Sequence, residues 1–489
     1  MRSVFLVLLI AHAAAVKADP ATYRVRYDGT SRLHVSAELP AGDGRLLVGT
    51  GGGIDHIPDQ WASFVRNLRV TTREGGPVTL TSLGKEGWRM DSSVPVHVTY
   101  EVDLSYASGR WPAGNEQAGR QFSRALFTVT KPVFVHTTGV TEATVSFDLP
   151  VGSSAATPWP ARPGKATFLA PSLVSLTTNT MVLGEFSSER VRAGAFDAIV
   201  ATPGMDTPPR LVEALREAGT IASQLFPDTP PGTYLMTFFR EETEDGEGYE
   251  GSGAFTSPDP FDSAGMLVTG NTLVHELLHS WIGHKMAATE PEQLAWFTEG
   301  FTEYYANVVL ARSGAVELEA IVDKLSNHVS GYLYFMNSSL FSGVTLATAG
   351  QRKGAHRLGV YDGGWAVALT LDVMLRSESN GQRSLDDVMR LLFARHGKGA
   401  PLTYASIMAA AGEVARRDLQ PFFQKYVEKR EEDLPMKSTL AALGLDLRGQ
   451  PYANDMYIAV KEAPTEDALR LRKAMFLPRS SGRGRPRSQ

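Results

Sequence analysis

The stretch Val274–Trp281, VHELLHSW, has the residue types and the spacing of a metal site. His275 and His279 are four residues apart, so on a helix they lie one turn apart on the same face. Glu276 then points toward the position that the two imidazoles leave open. Two histidines in this arrangement suit zinc better than other metals, and a third protein ligand must come from elsewhere in the chain.

Glu299 is the best candidate for that third ligand. It follows His279 after nineteen intervening residues, within WFTEGFTEYY, Trp296–Tyr305. Its alternative role is a solvated helix carboxylate, which the apolar neighbours Trp296 and Phe297 disfavour. Two histidines and one glutamate would hold one zinc ion per chain and leave its fourth position for water, as in catalytic sites. Glu276 would take the proton from that water and deliver it to a leaving amine.

Two further polar residues lie near the motif. Glu303 follows Glu299 by one helical turn and could accept a hydrogen bond from the other ring nitrogen of a ligand histidine. A solvated glutamate is the equally good alternative. His284 is five residues after His279, off the ligand face, and is expected to be a structural or surface residue.

Helices are predicted to position these residues. The motif helix is expected to end at Gly283, which suits a left-handed C-cap. A second helix is predicted from about residue 292 to 312, and a third over Gly364–Ser377. A strand, Gly232–Arg240, and an acidic, glycine-rich connection, Glu241–Gly253, precede the motif. Residues 197–435 are therefore predicted to form a mixed but mostly helical catalytic domain.

The preceding part of the chain has the pattern of strands. Val94–Leu104 and Ala143–Leu149 alternate apolar with polar residues, and Gly, Pro and Ser turns separate such runs. Residues 19–196 are predicted to form an N-terminal antiparallel β-sheet domain. The fold class is thus α+β and multidomain, as the length of 489 residues also indicates. Residues 436–489 are predicted to be a short extension with a disordered basic tail at 479–487.

Residues 1–18 have the order of a secretory signal peptide. Arg2 precedes the apolar run Val4–Ile10, which small residues follow up to Ala18. The alternative, a membrane anchor, is disfavoured because the run is too short to span a bilayer. The mature chain is therefore expected to be exported, either periplasmic or secreted, with no integral membrane segment.

Composition excludes several classes of function. The chain has no cysteine, so disulfides, thiolate ligands, cysteine nucleophiles and a lipid-modified cysteine are excluded. The formal charge is -5, and removal of residues 1–18, which contain Arg2 and Lys17 and no acid, makes it -7. This mild acidity argues against nucleic acid or an anionic membrane as the main partner.

The segments HELLHSW and WFTEGFTEYYANVVLARSG resemble the gluzincin zinc peptidases, which include the M1 aminopeptidases, and more closely the M61-type glycyl aminopeptidases. Val360–Leu392 resembles that family's segment around its catalytic tyrosine. The resemblance implies a thermolysin-like catalytic domain and a role for Tyr361 as hydrogen-bond donor to the oxyanion. Gly363 replaces the family's usual lysine.

The same resemblance suggests a residue that binds the amino group of a substrate. Such aminopeptidases have a Gly-x-Glu on a strand before the motif, and Gly248-Tyr249-Glu250 has this pattern. Glu250 would accept a charge-assisted hydrogen bond from the ammonium. A solvated acidic loop is the alternative. M61 relatives often have a C-terminal PDZ module, and the residues after about 435 are too few for one.

The leading prediction is a zinc-dependent hydrolase, a metalloprotease that acts as an aminopeptidase on short peptides. The first alternative is an endopeptidase of the same fold, in which Glu250 does not touch the substrate. The second is a non-catalytic, gluzincin-like binding protein. The presence of all four residues of the predicted zinc site, His275, Glu276, His279 and Glu299, favours an enzyme.

Overall fold

The structure is a computed structural model that describes residues 20–52, 54, 56–108, 111–226, 233–258, 265–449 and 456–477. The predicted signal peptide, residues 1–18, and the basic tail, residues 479–487, lie outside these ranges and stay predictions. Among the described helices, none combines the length and the apolar character needed to cross a membrane.

The N-terminal part is built from strands, as the alternating pattern predicts. They are β1 (Ala21–Tyr27), β2 (Arg32–Leu39), β3 (Arg45–Leu46), β4 (Val65–Thr72), β5 (Leu80–Ser82), β6 (Trp88–Met90), β7 (Val96–Asp103), β8 (Gly119–Gln121), β9 (Ala125–Val129), β10 (Ala143–Asp148), β11 (Ser154–Ala156), β12 (Thr167–Ala170) and β13 (Thr180–Gly184). One short helix, α1 (Leu173–Thr177), lies among them.

These strands form three sheets. The largest has the order β12-β10-β1-β2-β7-β4, and the others are β11-β13-β9-β8 and β3-β6-β5. In β7 every second residue is buried, including Val98 and Tyr100, because one face of the sheet packs on the core. The predicted antiparallel arrangement holds for every pair except β1 and β10, which run parallel.

A further sheet packs beneath the motif. It contains β14 (Ser187–Ala193), β15 (Phe196–Thr202), β16 (Thr233–Arg240), β17 (Asp245–Gly248) and β18 (Ser252–Ser257), in the order β14-β15-β16-β18-β17. β15, β16 and β18 are parallel, and the two edge strands are antiparallel to their neighbours. β14 precedes residue 196, the predicted end of the N-terminal domain, yet pairs with β15 in this sheet.

The predicted connection Glu241–Gly253 is wrong in one respect, because it contains the edge strand β17 and the first residues of β18. Glycine and acidic residues are rare in strands, so the pattern gave a loop. β17 forms nevertheless, because it pairs with β18 from Asp245 opposite Thr256 to Gly248 opposite Gly253. This strand borders the motif helix.

Helices follow from residue 209 onward. They are α2 (Pro209–Leu225), α3 (Thr269–His279), α4 (Ala295–Thr298), α5 (Gly300–Ser313), α6 (Leu318–Asn337), α7 (Leu346–Ala349), α8 (Gly364–Glu378), α9 (Leu385–His396), α10 (Tyr404–Ala415) and α11 (Gln420–Phe423). The motif helix α3 ends at His279, four residues before the predicted Gly283, where φ is +111°. The predicted helix 292–312 is interrupted at Glu299.

The end of the described chain packs on the helical core. α12 (Met436–Ala442), the hairpin of β19 (Leu445–Arg448) and β20 (Tyr457–Val460), and α13 (Glu466–Phe476) form this part. Leu440 and Met475 are fully buried in the hydrophobic core that the helices form. The Arg312 guanidinium of α5 donates to the Met475 carbonyl at 2.8 Å. Residues 436–449 and 456–477 thus belong structurally with the helical domain.

Candidate active site

Three ligand atoms converge at the end of α3. Oε2 of Glu299 lies 3.4 Å from Nε2 of His275 and 3.5 Å from Nε2 of His279. The ligand atoms of these three residues all lie within 4.8 Å of one another, and all three side chains are largely buried. Two imidazole nitrogens and one carboxylate oxygen facing a common point fit a zinc ion with one open position.

Close packing of two helices positions Glu299. The residue lies at the junction of α4 and α5, and Gly300 next to it packs directly on Gly364, the first residue of α8. A Cβ atom on Gly364 would lie 1.8 Å from the Trp296 carbonyl oxygen, and one on Gly300 would lie 2.4 Å from the Gly364 Cα. Only glycine permits this contact, which brings the segment of Tyr361 beside that of Glu299.

The second nitrogen of each histidine has its own acceptor. Nδ1 of His275 donates to Oε2 of Glu303 at 2.9 Å, and Nδ1 of His279 donates to the Ile282 carbonyl at 3.0 Å. These bonds place the proton on Nδ1 and leave the Nε2 lone pairs facing the common point, which is how metal-binding histidines are usually held. Glu303 thus has the acceptor role that its spacing suggested.

Glu303 is itself held by several donors. Nδ2 of Asn271 donates to it at 2.9 Å, Nε2 of His328 lies 3.0 Å from its Oε1, and Nζ of Lys324 lies 3.7 Å away. His328 in turn contacts Asp362 through Nδ1 at 2.7 Å. Although burial opposes ionisation, the histidine bonds keep the pKa of Glu303 well below its usual value, so it stays a carboxylate.

Glu276 lies against the edge strand β17. A Cβ atom on Gly246 would lie 2.9 Å from its Oε1, and one on Gly248 would lie 3.1 Å from its Oε2. The two glycines of β17 therefore let α3 approach the strand closely. Burial raises the pKa of Glu276 to about 7, against the opposing effect of His275 and His279. A carboxyl group with such a pKa can both take up and release a proton near neutrality.

Tyr361 lies beside the three ligands. It belongs to a π-helical turn, Gly359–Gly363, that leads into α8, and its ring stacks on the His275 ring with 6.0 Å between centroids. Nζ of Lys353 lies 2.9 Å from Oε1 of Glu299 and 5.5 Å from the centre of the tyrosine ring. Burial and Glu299 raise the pKa of Tyr361, so its hydroxyl keeps its proton and can donate it in a hydrogen bond.

Two cavities meet at this point. Both are lined by His275, Glu276, Gly246 and Tyr361. The first, of about 380 Å³, is also lined by Glu247, His284, Glu299 and Lys353, and is called the Glu247 cavity. The second, of about 330 Å³, is also lined by Glu244, Asp245, Lys324, His328 and Arg357, and is called the Arg357 cavity. A substrate bound across both would pass directly over Glu276.

The structure does not bring Glu250 to either cavity. Its Oε2 accepts a hydrogen bond from Nδ2 of Asn179 at 3.4 Å, and its backbone N–H donates to the Thr178 carbonyl at 3.2 Å. It thus lies at the contact between the two domains. Glu247, three residues earlier on β17, lines the cavity instead. The other predicted site residues, His275, Glu276, His279, Glu299 and Tyr361, are all together.

Sequence reasoning missed several residues of the site. Glu247, Lys353 and Arg357 belong to no recognisable motif, although the Gly-Glu-Gly at 246–248 is a usable signal for a strand that approaches another element closely. His284, expected to be structural or exposed, lines the Glu247 cavity and donates through Nε2 to the Gly248 carbonyl at 3.2 Å. Burial lowers its pKa to about 4, so it is neutral and supports the end of β17.

Comparison with known proteins supports this class of site. The sequence model of the family M61 glycyl aminopeptidase matches residues 269–343, which contain the three ligands and Glu276. Over these residues the match confirms the resemblance to the M61 glycyl aminopeptidases found in the sequence. No curated protein matches the chain.

Solved structures share the fold. An aminopeptidase N family protein from Idiomarina loihiensis is 18% identical, with a TM-score of 0.71, over 88% of this chain and 79% of that one. An M1 zinc metallopeptidase from Deinococcus radiodurans is 14% identical, with a TM-score of 0.53, over 86% of this chain and 95% of that one. A mutant of the latter, bound to the substrate Tyr-Ser-Ala, is 14% identical with a TM-score of 0.54 and the same coverage. At these identities the likeness concerns the fold.

Proposed function

We propose that the protein is a zinc-dependent aminopeptidase that hydrolyses short peptides. The observation that carries this proposal is the convergence of the His275, His279 and Glu299 ligand atoms within 4.8 Å, next to the buried carboxyl group of Glu276. Zinc bound there supplies Lewis acidity, which activates water near neutral pH and polarises a peptide carbonyl.

The protein's own groups complete the chemistry. Glu276 accepts a proton from the attacking water and transfers it to the leaving amine, as its pKa of about 7 allows. Tyr361 keeps its proton and donates a hydrogen bond to the oxygen on which negative charge develops. Lys353 holds Oε1 of Glu299, so that Oε2 alone faces the histidines.

The edge strand β17 sets the direction of the peptide. It runs from Asp245, which lines the Arg357 cavity, to Glu247 and Gly248, which line the Glu247 cavity. An extended peptide added antiparallel to this edge has its N-terminus in the Glu247 cavity and its C-terminal side in the Arg357 cavity. Its scissile bond then lies at Glu276, which both cavities share.

Glu247 is therefore the residue that we propose for binding the substrate's ammonium group, in place of Glu250. Burial raises the pKa of Glu247, while Lys131 and Lys353 lower it, so a cation in this cavity favours the carboxylate further. The related Deinococcus radiodurans metallopeptidase mutant is bound to the substrate Tyr-Ser-Ala, which supports a short peptide as the ligand of this fold.

The variants Glu247→Gln and Glu250→Gln test this assignment. Glu247→Gln is expected to lower kcat/KM for alanyl p-nitroanilide about 100-fold, because an ammonium loses its carboxylate partner in a buried site. Glu250→Gln serves as the matched control and is expected to retain the rate within about threefold, since the group hydrogen-bonds Asn179 instead.

Peptides with an acetylated N-terminus separate an aminopeptidase from an endopeptidase. The proposal expects the wild-type protein to cleave only peptides with a free N-terminus. Equal cleavage of free and acetylated peptides, with both variants at wild-type rates, would show that the enzyme is an endopeptidase. We also propose that the mature protein is exported, and N-terminal sequencing of the mature form is expected to start at Asp19.

A further inference from the structure

One cation of the active site has no role in the proposed reaction. Arg357 lines the Arg357 cavity and is exposed there, with its guanidinium 4.3 Å from the centre of the Tyr361 ring. Within the part of the chain that the structure describes, no carboxylate lies within 4.0 Å of this guanidinium. The other two cations near the cavities differ, because Lys353 contacts Glu299 at 2.9 Å and Lys324 contacts Glu303 at 3.7 Å.

The carboxylates around the Arg357 cavity are bound by other donors. Glu244 accepts a hydrogen bond from the Thr272 hydroxyl at 2.5 Å, and Asp245 accepts one from the Gly246 backbone N–H at 2.9 Å. Asp362 contacts Nδ1 of His328 at 2.7 Å. The charge of Arg357 is thus available to a ligand, and a guanidinium is well suited to bind a carboxylate through two parallel hydrogen bonds.

We propose that Arg357 binds the C-terminal carboxylate of the substrate, which makes short peptides of two to four residues with a free carboxylate the preferred substrate class. This inference rests on the proposed aminopeptidase function and on the peptide direction along β17. That direction brings the C-terminal side of the peptide into the cavity that Arg357 lines. The carboxylate would bind there while Glu247 binds the ammonium at the other end.

The distances agree with a short peptide. The Tyr361 ring centroid lies 6.0 Å from that of His275 and 4.3 Å from the Arg357 guanidinium. The guanidinium is therefore at most roughly 10 Å from the His275 ring, which is no more than three extended residues of ~3.3 Å each. With the one residue on the amino side of the scissile bond, this corresponds to a peptide of at most about four residues. Longer peptides would carry their carboxylate past Arg357 and lose this interaction.

The test compares substrates with and without a free carboxylate. Alanyl tripeptides are offered as free acids and as C-terminal amides, with alanyl p-nitroanilide as a reference that has no carboxylate. For the wild-type protein, kcat/KM is expected to be about 10-fold or more higher for the acid than for the amide. For Arg357→Gln the acid-to-amide ratio of kcat/KM is expected to fall to near one. Arg352 lines neither cavity, so Arg352→Gln is the control and is expected to keep the wild-type ratio.

The outcomes separate this inference from the proposed function. If alanyl p-nitroanilide is hydrolysed but the acid and the amide are equal for the wild-type protein, the carboxylate proposal is wrong and the aminopeptidase proposal stands. If Arg357→Gln lowers kcat/KM equally for acid, amide and nitroanilide, Arg357 acts through Tyr361 and the carboxylate proposal is again wrong. If the wild-type protein hydrolyses none of the three substrates, both proposals are wrong.

Discussion

Nδ1 of His275 donates to Oε2 of Glu303 at 2.9 Å, on the opposite side of the ring from the nitrogen that faces Glu299. Glu299 is the N-cap residue of α5 and Glu303 lies one turn later, so the start of a single helix supplies one candidate zinc ligand and the partner of another. The orientation of the His275 ring thus depends on the helix that begins directly after Glu299.

Loss of the Glu303 carboxylate is expected to weaken zinc binding. Glu303→Gln would lower the affinity about 10- to 100-fold, because outer partners of metal-binding histidines have effects of this size. Competition with a chromophoric chelator measures the affinity without any activity assay. Glu319→Gln, a change of an exposed glutamate on α6, is the control. An unchanged affinity of Glu303→Gln would show that the hydrogen bond does not orient the ligand.

The contact between Gly300 and Gly364 is expected to be intolerant of a methyl group. Gly364→Ala would place its Cβ atom 1.8 Å from the Trp296 carbonyl oxygen, so the helices must move apart. We expect the free energy of unfolding to fall by about 1–3 kcal/mol or more, as for other overpacked sites. Urea unfolding measures this, with Gly354→Ala as the control because its Cβ atom meets nothing within 4 Å. Equal stability of the two variants would contradict the close packing.

Glu116 is expected to make stability depend on pH. Burial, with added repulsion from Asp245 and Glu247, raises its pKa to about 8 from the ordinary value of 4.5. Between these values the unfolded chain loses the proton that the folded chain keeps. The free energy of unfolding therefore falls as pH rises, by at most about 1.4 kcal/mol per pH unit from this group.

Urea unfolding of Glu116→Gln checks this effect, since an amide does not titrate. Between about pH 5 and about pH 8 the variant is expected to lose less stability than the wild-type protein. Glu74→Gln, a change of an exposed glutamate, should follow the wild-type curve. Parallel curves for wild type and Glu116→Gln would mean that Glu116 titrates with an ordinary pKa in the folded protein.

The sequence predicted the parts of the site that lie on regular helices. His275 and His279 follow from a fixed spacing on α3, and Glu299 from its distance to them. Glu247 could not be told from Glu250, because six acidic residues fall between 241 and 250 and a four-residue strand leaves no periodic pattern. Pairing with β18 decides the register, and this is a tertiary effect.

The remaining differences also have tertiary causes. The helix predicted over 292–312 is interrupted at Glu299, where the Gly300–Gly364 contact brings two helices together. Arg357 and Lys353 reach the site because the chain between α7 and α8 folds back over Glu299. No local sequence pattern predicts the path of this segment. In β7, by contrast, the alternation of apolar and polar residues directly predicts which face of the strand is buried.

Zinc content and peptidase activity, measured on the same preparations of the wild-type protein and Glu276→Gln, test the central claim most directly. We expect about one zinc ion per chain in both proteins, because Glu276 is not among the three ligands. We also expect the wild-type protein to hydrolyse peptides with a free N-terminus, and kcat to be lower by about 1,000-fold or more in Glu276→Gln. Full zinc occupancy of the wild-type protein without hydrolysis of any peptide, or undiminished hydrolysis by Glu276→Gln, would contradict the account.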